Sequence, residues 1–107
     1  MIVTTLDSVP QREVTASLGL VNGSTVRAKN IATDLRAGIR NLVGGELAAY
    51  TDLAREAREE ALQRMVAQAR ALGADAVLGV RFNTAALGPG TAEFLVYGTA
   101  VTLAVRA

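Results

Sequence analysis

The chain has 107 residues, half of them hydrophobic, with only two Phe, two Tyr and a formal net charge of +1. It contains no Cys and no His, which excludes disulfides, thiolate and imidazole metal ligands, thiol nucleophiles and Ser-His-Asp chemistry. A charge so close to neutral gives no electrostatic footprint for nucleic acid.

A chain of this length is one domain, residues 1–107, able to bury roughly two-thirds of the surface that its unfolded form would expose. With so few aromatic residues its core must be aliphatic. No run approaches the roughly 18 consecutive apolar residues that span a bilayer. The start, "MIVTTLDSVP", lacks the basic and apolar regions of a secretory signal, so a cytoplasmic location is expected.

Residues 2–6, "IVTTL", are rich in β-branched side chains and read as a strand ending at Asp7 and Ser8. A second strand pattern covers 13–21, with Val14, Ala16, Leu18 and Leu20 on one face. Asn22-Gly23 then allows two readings: a tight hairpin turn, or a kink in one long strand running on through "STVRA". Residues 31–43 have helical spacing, with Ile31, Leu35, Ile39 and Leu42 or Val43 at steps of three and four. Gly44-Gly45 would end that short helix.

The longest amphipathic pattern starts near Leu47 or Thr51 and runs to Leu72, with Gly73 as its stop. Tyr50, Leu53, Ala57, Ala61, Met65, Ala69 and Leu72 form the apolar stripe. Arg55–Glu59 and Glu60–Arg64 stand one turn apart and are expected to pair. Residues 76–84 form a further strand, with Ala76, Leu78, Val80 and Phe82 on one face and Val77, Gly79 and Arg81 on the other. Gly88-Pro89-Gly90 reverses the chain into 92–105, "AEFLVYGTAVTLAV". This last strand is apolar on both sides, with Leu95, Tyr97, Val101 and Leu103 opposing Phe94, Val96, Ala100 and Ala104. Antiparallel sheets usually keep one face polar. The long helix can cover one face, so the other calls for a second copy of the chain.

Candidate sites are sparse. Glu56 and Glu60, one helical turn apart, could bridge a hard cation, or could simply form a solvated face. Arg36 and Arg40 project together from the short helix and suit an anion or an intersubunit ion pair. Gly44-Gly45-Glu46 reads either as a turn presenting Glu46 to a ligand or as a corner with an acid in the next helix's first turn. Asp52, two residues after Tyr50, completes the ligand candidates. No phosphate loop occurs, and no aromatic residue interleaves the basic cluster in the manner of a nucleic-acid site.

Four stretches, "LGLVNGSTVRAKNI", "DLRAGIRNLVGGELAAYTDL", "AREEALQRMVAQARALGADAVLGVRF" and "YGTAV", resemble the UPF0145 family, also called YbjQ-like, over residues 2–101. The resemblance implies an α+β fold like a dodecin subunit, an antiparallel sheet packed on a short and a long helix. It also implies a ring-like homo-oligomer, a pentamer. The family carries a heavy-metal-binding label without an established biochemical function. The soft ligands that a heavy metal prefers are missing here apart from methionine sulfur. The expectation is therefore a non-enzymatic cytoplasmic protein that partners itself, with no cofactor, nucleic acid or membrane. The alternative is a metal-ion or small-ligand binder with sites at subunit interfaces, using Arg36, Arg40, Glu46 and Asp52.

Overall fold

A computed structural model describes residues 1–28 and 45–106, with side chains throughout except at 45–50. Its elements are β1 (Ile2–Val3), β2 (Arg12–Ala28), α1 (Gly45–Ala71), β3 (Ala76–Gly88) and β4 (Thr91–Val105). They form one four-stranded sheet in the order β1-β3-β4-β2. β2 and β3 flank β4 antiparallel, whereas β1 pairs parallel with β3. The sheet is thus mixed rather than antiparallel throughout. Among the described residues one helix covers it; the expected short helix at 31–43 lies outside them.

Helix α1 runs along one face, opposite in direction to β2. Ala57, Ala61, Met65 and Ala69 are buried at every fourth position, as the stripe predicts, while Leu72 at its end is exposed. Ala61, Met65 and Ala69 pack with Val21, Val77, Val80, Val96 and Ala100 into the main core. The helix begins at Gly45, earlier than its pattern predicts, and ends as expected at Gly73. There a φ of +79° places Gly73 in the left-handed conformation. Its N–H donates to Arg70 O at 3.0 Å and that of Ala74 to Ala69 O at 3.1 Å, the Schellman closure.

Asn22-Gly23 makes no turn. Both residues lie inside the unbroken β2, paired with Tyr97 and Val96. Gly23 serves a different need, because α1 crosses the strand there backbone against backbone. A Cβ on Gly23 would come within 2.6 Å of Met65 N and 2.9 Å of Arg64 Cβ, and closer still to the Ala61 carbonyl. Polar groups seal the crossing. Thr25, buried, donates its hydroxyl to Ala57 O at 3.0 Å, and Asn22 N–H donates to Gln68 Oε1 at 2.7 Å.

The two faces of β4 follow the expected alternation. Phe94, Val96 and Ala100 lie under the helix, and Val101 packs on the outer face with Ala76 and Leu78, covered by Val9 of the N-terminal segment. Neighbouring strands do not keep strict alternation. β3 is bulged between Leu78 and Arg81, where Gly79 has a φ of +61°. One extra residue reverses every later side chain. Ala76 and Leu78 therefore face outward, while Val80 and Phe82, expected beside them, face the helix. β2 is bulged twice, between Val14 and Ala16 and between Ser17 and Gly19. Val14 and Leu20 consequently point outward and Leu18 packs on the helix-side core, although all were expected on one face. The first strand is also shorter than its pattern, Ile2–Val3 instead of 2–6.

Replacing Gly23 by Ala must push the helix off the strand. The expected outcome is a loss of about 3 kcal/mol, the upper end of what core overpacking typically costs. Urea unfolding of Gly23→Ala measures it. Gly19→Ala is the comparison: its Cβ meets no atom within 4 Å, so it carries only the backbone strain of a φ of +99°.

Candidate functional site

The face of α1 that borders β2 carries the most connected ionic cluster among the described residues. Glu60 sits between two guanidinium groups: Arg27, from the end of β2, holds one carboxylate oxygen, and Arg64, one turn along the helix, holds the other at 2.6 Å. Arg64 also donates to Ser24 O at 2.6 Å, so one side chain ties helix to strand. Arg27 lowers the Glu60 pKa, first through its hydrogen bond and further through its charge, with Arg64 contributing. The Glu60–Arg64 pair is as spacing suggests. Arg55 instead pairs with Asp52 at 3.5 Å, and Glu59 accepts from Gln63 at 3.4 Å.

Asp52 is exposed on the helix and engaged by Arg55. Glu56 is exposed, and its intended partner Glu60 is committed to Arg27 and Arg64 rather than free for a cation. Glu46 occupies the first turn of α1, and the Gly44 side of the corner lies outside the described residues. Arg36 and Arg40 lie outside the described residues. Arg27 is the participant that sequence reasoning passed over as a site residue; its contact with Glu60 joins positions distant in sequence.

Beside this cluster, between the first half of α1 and the tip of the β3–β4 hairpin, lies an open groove of about 480 Å³. Leu53, Ala54, Ala92 and Phe94 form its apolar floor, with Arg27 and Arg58 among the lining side chains. Arg58 has no acid three or four residues away on the helix, and no carboxylate partner among the described residues. The groove can therefore hold an apolar body with an anionic end.

Soft-metal chemistry does not fit these residues. The sulfur donors are Met65, completely buried in the core, and Met1 at the chain start. Among the described residues no three acidic side chains converge.

The α+β fold, a long hairpin with, among the described residues, one covering helix, is a known architecture. A solved structure from Pediococcus pentosaceus, a protein of unknown function in the DUF74 family, superposes with a TM-score of 0.67. The match covers 97 % of this chain and 98 % of that one, at 17 % identity, and so concerns the fold alone. Closer relatives identify the family. A UPF0145 protein of Archaeoglobus fulgidus is 55 % identical over 96 % of this chain and 95 % of its own. One from Thermus thermophilus is 57 % identical over 96 % and 90 %. The YbjQ_1 family model, described as "Putative heavy-metal-binding", matches residues 1–104. The chain belongs to the UPF0145 (YbjQ-like) family.

The lowered Glu60 pKa sets a pH dependence. The stabilisation is present above the ordinary Glu pKa of about 4.3 and is lost as pH falls through the depressed folded value. Glu60→Gln should lower the urea midpoint at pH 7, and the gap to the parent should close as pH falls below about 4. Paired denaturation curves across that range test the sign.

Proposed function

We propose that this protein is a non-enzymatic cytoplasmic assembly module that forms a homo-oligomeric ring, a pentamer by the family resemblance. The observation that carries the proposal is the outer face of the sheet. Its first end is covered by the chain itself, through Val9 on Ala76, Leu78 and Val101. Beyond that point Leu20 is 69 % exposed, Val26 53 % and Tyr97 38 %, on strands whose other face is buried. Apolar area of this kind on a small sheet is a surface for association.

Native mass spectrometry on protein purified without a metal-affinity tag or chelator is the direct test. A ring of bare subunits is the expected result. A monomer at micromolar concentration overturns the proposal.

A second reading, a small-ligand carrier, is favoured by the groove that holds Arg27 and Arg58. Additional mass in stoichiometric ratio to subunits would support it, and Arg58→Ala should then remove that mass. The metal version of that reading has weaker support from the donors. Titration of the metal-free protein with Zn²⁺ or Cd²⁺ should give no stoichiometric binding. One ion per subunit or per ring would revive it.

A further inference from the structure

Three strands side by side span roughly 14 Å, whereas a helix covers roughly 10 Å. Since α1 follows β2, the helix-side surface of β3 beyond its bulge is only part-covered among the described residues. Phe82 is 49 % exposed there, beside Leu62 and Arg58.

The same stretch also lacks a neighbour along its edge. β1 and the segment after it occupy the outer edge of β3 as far as Val80. Gly79 N–H donates to Leu6 O at 2.9 Å, and Val80 N–H to Thr4 O at 3.0 Å. From 81 to 88 no described strand flanks β3 on that side. β2 forms the opposite edge of the sheet. Its middle is occupied by Gln68 and Arg64, which take Asn22 N–H and Ser24 O. From 12 to 20 its only described strand neighbour is β4.

Among the described residues the sheet therefore has two open stretches of nearly equal length, on opposite edges and toward opposite ends. A row of unpaired main-chain donors and acceptors is a template for another strand. β2 and β3 both run antiparallel to β4, hence parallel to each other.

We infer that these stretches are the two halves of one contact between copies of this chain: residues 81–88 of one subunit pair in parallel with residues 12–20 of the next. The inference rests on the assembly reading above and gives it surfaces. The incoming strand continues the line of β1, which is itself parallel to β3. Leu87, 56 % exposed, and Leu20, 69 % exposed, lie near the far end of the same contact. A contact between unlike patches repeats head to tail, and closes into a ring when the rotation per copy permits. Both β2 bulges fall within the pairing stretch, and bulges supply the bend that closure of a sheet demands.

The absence of native Cys makes a cross-linking test clean. Asn83→Cys and Ser17→Cys place thiols at exposed positions on the outer face, opposite Leu95 and Val101 respectively. Co-expressed and treated with a short bismaleimide, the two single variants should give a mixed covalent dimer that neither gives alone. A chain carrying both should give a ladder of multimers. Phe82→Glu should shift native mass spectra toward monomer while circular dichroism stays that of the folded parent. An oligomer that forms no cross-link, or that a folded Phe82→Glu variant leaves intact, overturns the edge contact alone. A monomeric parent protein overturns the assembly reading and the contact together.

Discussion

The approach of α1 to β2 at Gly23 is the constraint on which the rest of the structure depends. A chain with only four aromatic residues, two Phe and two Tyr, of which Phe94 is buried in the core, has little bulk with which to hold two layers apart. It gains contact by closeness instead. Ala57, Ala61 and Ala69 present small side chains, and Gly23 none, so helix and strand backbones meet. Closeness then makes main-chain polar groups of each element reachable from the other. Thr25 reaches Ala57 O, Gln68 reaches Asn22 N–H, and Arg64 reaches Ser24 O. The Arg27–Glu60–Arg64 cluster is a product of the same geometry, since it bridges the two elements just beyond the crossing.

What could be read in the sequence was whatever depends on regular repetition. The buried stripe of α1 shows at steps of four, its stop shows as Gly73, and β4 alternates without a fault because the register shifts, two on β2 and two on β3 (the second between Ala86 and Gly88), belong to its neighbours. The assignments that failed lie on those neighbours. A bulge changes no residue type, only the count of residues between two points, so Val80 and Phe82 give no sign that they have changed sides. Gly79 offered a hint, since glycine inside a strand often marks a bulge. Asn22-Gly23 was ambiguous for a related reason. The same pair that favours a turn also supplies a residue without a side chain, and which property matters is decided by a helix forty residues later. The parallel pairing of β1 was hidden too, since a two-residue strand is specified by its partner rather than by its own pattern.

Of the candidate site residues on α1, Asp52 and Glu56 are exposed and Glu60 keeps the expected Arg64. The expected Arg55–Glu59 pair is replaced, and a contact from another element is added. Asp52 takes Arg55, and Glu60 takes Arg27 as well as Arg64. Charged side chains long enough to choose among several neighbours are poorly specified by spacing alone. The absence of Cys and His was, by contrast, fully legible, and composition by itself weighs against the family's heavy-metal label.

The pairing of β2 with β4 also bears on how the protein is made. Ala28 pairs with Thr91 and Arg12 with Val105, so the longest strand of the sheet leaves the ribosome well before its described strand partner. During that interval β2 has no sheet to join, and its apolar side chains are an aggregation hazard. Helix α1 is synthesised in between and forms through local contacts, which are fast. By offering β2 a groove fitted to Gly23, it can shelter the waiting strand until the β3–β4 hairpin arrives. The helix would then act first as an intramolecular chaperone and only afterwards as the lid of the core.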